Sequence, residues 1–450
     1  MTSLASTLTA LLDEGSAQTI HVDSRAAQGD YAATLERARQ RSGSDESVQV
    51  LHATIAGHRV VVIGGDFEFL AGSVGQEAAD RVVMGYLHAT AERIPVITLP
   101  TSGGTRMQEG TAAFFRMVDI ARVAGEHLTT GQVRIGWLRN PTTGGVMATW
   151  GSYADITAAE PGALLGFLGP RVYEALYNQP FPPAVQTAEN LADVGIIDDV
   201  VPVSGLRDWM AHILDVTNGV DAPTPATSAS EAMPVDAWDA IQCTRADDRP
   251  GPQAVLDQLT SVTELRGTQA GEAGGGIRVC LGRWQGRRAL VVATTREEVT
   301  PSGLRVAQRG LRLADRLRLP VVTLVDTPGG ELSREAEEAA MAGEIARTLM
   351  MLTSLQTRSV SVIMGQGCGG AALALIPAGT RICTENGWVS PLPPEGASVI
   401  MHRTPDRAPD LARQQGVGAF DMVAAGVVDA VVAEGDDVTG AVMNAVVRYL

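Results

Sequence analysis

Lysine is absent from this chain: every one of its 35 basic residues is arginine. Without an ε-amino group there is no Schiff-base nucleophile, no lysine general base and no P-loop lysine to grip a phosphate. Cysteine is scarce too. Cys243, Cys280, Cys368 and Cys383 lie far apart with no C-x-x-C pair, so neither a zinc ribbon nor a disulfide framework is encoded locally. The seven histidines (His21, His52, His58, His88, His127, His212 and His402) show no H-E-x-x-H or related spacing, and no metal site is expected. Long apolar runs are missing as well; none approaches the ~20 residues of a membrane span. The opening MTSLASTLTALLDEGS has no basic leader and soon reaches Asp13 and Glu14. It reads as neither a secretory nor a transit signal, which points to the cytoplasm.

What the chain does have is acid and bulk. Its 51 acidic residues give a formal charge of −16, which repels phosphate backbones and anionic lipid surfaces, so neither nucleic acid nor membrane is an expected partner. With 450 residues, 45% of them hydrophobic, it can bury two ordinary cores.

The chain also repeats itself. RIPVITLPTSGG from Arg93 is echoed by RLPVVTLVDTPGG from Arg318, an offset of 225 residues. The same offset carries Gly144 and Gly145 onto Gly369 and Gly370, and Gly162 onto Gly387. A fourth pair, GIIDDVVP from Gly195 and GVVDAVVA from Gly426, is shifted by 231, as a short loop insertion would produce. Each half alternates β-branched runs with helical periodicity, the grammar of crossover units on a largely parallel sheet. Strands are expected near HRVVVIGG, PVITLP and QVRIGWL, then near RRALVVAT, PVVTLV and SVSVIMG. Helices are expected over Gln76–Arg93, Met107–Glu126, Ser302–Leu317 and Ser333–Leu355. An Ala, Pro, Thr and Ser-rich stretch from Asn218 to about Glu231 is the natural linker, dividing the chain into domains 1–220 and 221–450.

In both halves glycine turns follow apolar strands and precede helices. That geometry leaves unpaired backbone N–H groups at a helix start, able to hold a developing oxyanion. Gly144 and Gly145, and Gly370 with Ala371, are small enough to let a carbonyl approach the main chain.

At these residues a family resemblance appears. SGGTRMQEGTAAFFRM (Ser102–Met117), with DFEFLAGSVG (Asp66–Gly75) before it and PTTGGV (Pro141–Val146) after it, resembles the β subunit of bacterial acetyl-CoA carboxylase carboxyltransferase. DTPGG (Asp326–Gly330), GQGCGGAALAL (Gly365–Leu375) and PEGAS (Pro394–Ser398) resemble the α subunit, fused in the order β then α. The resemblance implies an α/β fold class of two tandem crotonase-like (ClpP/crotonase) domains. It implies a mechanism needing no Lys, His or Cys: carboxybiotin on a separate carrier supplies carbon dioxide and a base, and the thioester enolate of an acyl-CoA is carboxylated. Acetyl-CoA giving malonyl-CoA is the leading case. Gly144 and Gly145 would hold the thioester oxygen, and Gly370 and Ala371 the biotin oxygen. Gly72, Gly103, Gly104, Arg106, Gly329, Gly369 and Leu373 would line the CoA and biotin sites. The implied partners are a biotin carboxyl carrier protein and a biotin carboxylase, in an assembly built on a homodimer or a trimer of dimers.

Several residues carry a second reading. Arg106 suits either a CoA phosphate or a structural ion pair. Phe67, Phe69, Phe114 and Phe115 read as core, Cys368 as a buried packing thiol, and Arg334–Glu338 as a solvated helix face. Leu373 lies where the family tunes acyl-chain size. The chain also departs from the pattern: no cysteine precedes Cys243, where β subunits carry a four-cysteine zinc ribbon. Ala339 and Ala340 stand where Arg-Gly is expected. That second departure keeps open a biotin-independent malonyl-type CoA decarboxylase; a non-catalytic subunit of a carboxylase complex is the other alternative.

Overall fold

The β-branched runs form two mixed sheets, one in each of two compact units, Met1–Asn218 and Gly219–Leu450. The structure is a computed structural model describing residues 2–23, 29–226 and 231–450. Of the expected linker, residues 220–226 have no regular structure and 227–230 lie outside the described residues.

In the N-terminal unit, the strands Val48–Ile55 and His58–Gly65 pair antiparallel. Val96–Leu99, Arg134–Leu138, Ile156–Ala159 and Asp199–Val200 then follow in parallel. The C-terminal unit repeats this with Ile277–Trp284, Arg287–Thr294, Val321–Thr327, Ser359–Cys368, Thr380–Thr384 and Ala430–Val432. All four residues of Val96–Leu99 and all seven of Val321–Thr327 are buried, as strands covered on both faces must be.

The repeat survives at the level of register. Ile97 pairs with Ile135, and Val322, 225 residues on, pairs with Val360. Ala158 pairs with Asp199 as Ile382 pairs with Ala430, so the 231-residue shift of the last strand is a real displacement of its equivalent. Helices Gln76–Glu92 and Pro301–Leu317 have 17 residues each. Both end on a left-handed arginine, Arg93 (φ 53°) and Arg318 (φ 55°). The second helix starts firmly: Thr300 accepts the Gly303 N–H and Pro301 occupies the first turn.

Two expectations need correction. Ser333–Leu355 is not one helix but two, Arg334–Glu338 and Met341–Thr353, broken where Ala340 turns left-handed at φ 66°. Alanine here adopts a left-handed conformation that glycine takes with less strain. Phe114 and Phe115 are not core; they are 60% and 65% exposed. On the helix Gly110–Leu128 the inward face is Ala113, Met117, Ile120, Val123 and Ala124, a spacing that turns positions 114 and 115 to the outside. Phe69 is buried, whereas Phe67 is only partly so.

Candidate active site

Two turns meet in each unit. In the N-terminal unit, the strand Val96–Leu99 runs into a turn at Ser102–Thr105. The Ser102 hydroxyl accepts the Gly104 N–H at 2.9 Å and donates to the Gly104 carbonyl at 3.2 Å. Gly104 is thereby held at φ 119°, open to glycine alone. The C-terminal unit repeats the clamp. Thr327 accepts the Gly329 N–H at 3.1 Å, and its hydroxyl proton is shared between the Glu297 carbonyl at 2.9 Å and the Gly329 carbonyl at 3.1 Å, with Gly329 at φ 135°. The Gly104 and Gly329 carbonyls accept the N–H groups of Val74 (3.0 Å) and Val299 (2.9 Å). Neighbouring glycines complete the N-terminal turn. Gly103 donates to the Ala71 carbonyl at 3.0 Å, and a Cβ on Gly72 would fall 2.3 Å from the Thr101 carbonyl oxygen.

The second turn opens a short helix, Gly144–Met147 in one unit and Gly369–Leu373 in the other. Gly144 (φ 63°) and Gly369 (φ 70°) make equivalent bends. A Cβ on Gly144 would lie 3.2 Å from Gly104 Cα, and one on Gly329 3.5 Å from the Cys368 carbonyl oxygen. The structure thus brings the expected glycines together, backbone against backbone, within each unit.

Donors are a separate matter from turns. The Gly144 N–H donates to the Phe167 carbonyl at 3.0 Å, so Gly144 shapes the turn and offers no free donor. The next amide, that of Gly145, sits in the first turn of the helix and has no partner among the described residues. In the C-terminal unit the amides of Gly370 and Ala371 stand likewise.

Walls differ between the units. Thr105 Oγ1 lies 2.9 Å from the Cβ position on Gly145, whereas Ile345 Cδ1 lies 3.2 Å from that on Gly370. Met341 Cε and Ala371 Cβ lie 3.1 and 3.4 Å from the Cβ position on Gly330. Leu373, at the end of its helix, is half exposed. Cys368 is buried, and desolvation pushes its thiol up to about 11, so it stays neutral and packs.

Arg106 is the structural alternative of its two readings. It is 1% exposed and donates to both carboxylate oxygens of Glu46, with further bonds to Ser47 Oγ and the Ser73 carbonyl. Its donors are committed, and it is withdrawn as a CoA ligand. Sequence reasoning missed the Ser102 and Thr327 clamps. The signal was there, since a Ser or Thr two residues before a glycine is a common hydroxyl-turn pattern and the two are 225 apart.

Comparison with known proteins decides the lineage. Residues 227–448 match a family described as acetyl co-enzyme A carboxylase carboxyltransferase-like. The chain is 45% identical over 415 residues to the probable biotin-dependent acyl-coenzyme A carboxylase beta3 subunit of Mycobacterium tuberculosis, covering 90% of this chain and 84% of that one. The chain belongs to the carboxyltransferases of biotin-dependent acyl-CoA carboxylases. It is also 36% identical over 433 residues to the acetyl-coenzyme A carboxylase carboxyl transferase subunits beta/alpha of Salinispora tropica, covering 90% of this chain and 76% of that one. Among solved structures, transcarboxylase 12S matches all of this chain and 88% of its own, with a TM-score of 0.82 at 19% identity. A single-chain, multi-domain long-chain acyl-CoA carboxylase matches with a TM-score of 0.81 at 20% identity, 46% of its length being covered. The carboxyltransferase fold here is the tandem crotonase-like one.

Proposed function

We propose that this carboxyltransferase moves the carboxyl group of carboxybiotin, carried on a separate protein, to a short acyl-CoA, with acetyl-CoA giving malonyl-CoA as the leading case. The observation that carries this reading is the doubled clamp: each unit presents unpartnered helix-start amides beside a hydroxyl-locked glycine turn. When bound, carboxybiotin supplies the carbon dioxide and the base for the α-proton.

The chain's own part is to hold two oxygens. Gly145 N–H holds the thioester oxygen as the enolate forms, with Gly104 and Gly144 keeping the approach free of side chains. Gly370 and Ala371 hold the urea oxygen, and Gly329 and Gly369 keep that approach open. The apolar Met341, Ile345 and Cys368 beside the second turn suit the hydrocarbon body of a bicyclic urea. Amides fixed before reaction need no reorganisation as charge develops, which is why main-chain donors alone suffice. Residues 1–220 act as the β-like half and 221–450 as the α-like half. Leu373 supports a short acyl group by taking up space at the helix end.

A biotin carboxyl carrier protein and a biotin carboxylase are the partners, and a homodimer or a trimer of dimers in the cytoplasm is the working assembly. With no lysine in the sequence given, biotin has no attachment point on it. Among the described residues, no helix is long and apolar enough to cross a membrane and no group of three metal-ligating side chains forms.

The test is malonyl-CoA decarboxylation with and without free biotin, alongside carboxylation of acetyl-CoA with carrier and carboxylase supplied. The expected result is decarboxylation that depends on biotin. Equal rates without biotin would move the chain to the decarboxylase reading.

A further inference from the structure

The C-terminal unit has an open pocket of about 850 Å³ at the end of its sheet opposite the glycine turns. Its rim is built where the parallel strands begin: Arg287 and Arg288 open one strand, and Arg358 precedes another. Arg316 and Arg318 come from the end of the helix Pro301–Leu317. Five arginines and only two aspartates line it, in a chain whose net charge is −16. Both aspartates are engaged. Asp221 pairs with Arg288 at 3.0 Å, and Asp315 accepts the Gln356 N–H at 2.8 Å.

The duplicated unit serves as an internal control. Val61 pairs with Val96 as Leu290 pairs with Val321, so His58 and Arg59 stand where Arg287 and Arg288 do. Along the 225-residue register, Ala91, Arg93 and Val133 stand where Arg316, Arg318 and Arg358 do. The N-terminal unit thus has two arginines at these five places, and both are occupied: Arg59 with Glu92 at 2.8 Å, and Arg93 with the Thr130 carbonyl at 3.2 Å. The fold therefore does not require the cluster. In the C-terminal unit, Arg287 donates to the Ala222 carbonyl, to Thr224 Oγ1 and to a main-chain oxygen of Leu450, the last residue of the sequence given, and Arg358 spends one donor on that same oxygen, while the exposed Arg318 guanidinium has no partner among the described residues.

We propose that this pocket binds a phosphate-bearing small molecule, its phosphoryl groups held by Arg318 and Arg358 with Arg316 and Arg287 adding charge. Guanidinium forks match phosphate oxygens in pairs, and the volume is that of a nucleotide-sized ligand site. Lying across the sheet from both glycine turns, the site is separate from the reacting groups. It does not depend on the function proposed above.

The experiment is calorimetric titration of the intact chain with inorganic pyrophosphate and with ATP at low ionic strength, for the parent and for Arg318→Gln/Arg358→Gln. Loss of two charge-assisted contacts should weaken binding at least about tenfold. Melting temperature and carboxyl transfer without added ligand should not change. Arg93→Gln, the matching change in the other unit, should leave binding intact. Absence of binding to the parent, equal binding to the double variant, or tighter binding of a glutamate-rich peptide than of either phosphate compound overturns the proposal.

Discussion

Gly145→Val tests the proposed oxyanion amide at a position that is not itself a structural glycine. Its Cβ would fall 2.9 Å from Thr105 Oγ1, the far end of a small side chain that can turn aside, so the cost to folding is about 1 kcal/mol. Gly145 is not held at positive φ, so no left-handed strain is added. Gly144 would be a poor choice. Its φ of 63° and the Gly104 Cα 3.2 Å from its Cβ position would couple any rate loss to collapse of the turn. Blocking one oxyanion donor costs about 3 kcal/mol, which at 1.36 kcal/mol per decade is roughly 150-fold in transfer rate. Gly370→Val, with Ile345 Cδ1 at 3.2 Å, should fall by a similar factor. Cys368→Ser should keep most activity, because a buried neutral thiol has no charge to contribute. Carboxyl transfer and thermal melting are measured on all three. If both glycine variants melt like the parent and turn over within about threefold of it, the amides are not donors and the site lies elsewhere. Loss of activity in the cysteine variant alone would point to nucleophilic chemistry instead.

Further tests follow from the same geometry. Arg106→Ala strands the buried Glu46 carboxylate and should destabilise by about 3–5 kcal/mol in denaturant unfolding; a raised KM for acyl-CoA with unchanged stability would restore it as a phosphate ligand. Ser102→Ala and Thr327→Ala each leave a buried glycine amide unpaired, and each should cost about 1–3 kcal/mol by thermal melting together with transfer rate. Ala340→Gly removes left-handed strain of about 1 kcal/mol and should raise the melting temperature; a lower one would show the strain is absent. Burial alone would raise the pKa of Glu344, but hydrogen bonds from Arg347, Gln308 and Arg305 outweigh it and hold the carboxyl at about 2. Its contribution is therefore complete above pH 4.5 and lost as pH falls toward 2, so Glu344→Gln should flatten the acid limb of a stability profile.

The fold was legible because the chain is written twice. A single P-V-I-T-L-P run followed by glycines says little, but the same run 225 residues later fixes strand, turn and helix together. The register of Ile97 on Ile135 and Val322 on Val360 bears that out. Where the two halves diverge, legibility failed. The stretch after Gly330 is periodic enough to read as one helix, and only the backbone angle at Ala340 shows the break. Phe114 and Phe115 read as core by hydrophobicity alone, but burial follows the angular position each takes on its helix.

The glycine turns could be read from sequence, whereas the donors could not. Whether an amide is free depends on a carbonyl that arrives from elsewhere in the chain, and Phe167, some twenty residues beyond Gly144, arrives at 3.0 Å. No local pattern encodes that meeting. The same limit applies to the walls. The backbone of the two turns is repeated, but Thr105 puts a hydroxyl beside Gly145 where Ile345 puts a methyl beside Gly370. One fold copied in place keeps its turn backbone, with Gly144 and Gly369 at φ 63° and 70° and Gly104 and Gly329 at φ 119° and 135°. Its side chains are free to differ. Two turns alike in backbone and unlike in wall suit the proposed reaction, in which one oxygen belongs to a flexible thioester and the other to a rigid urea.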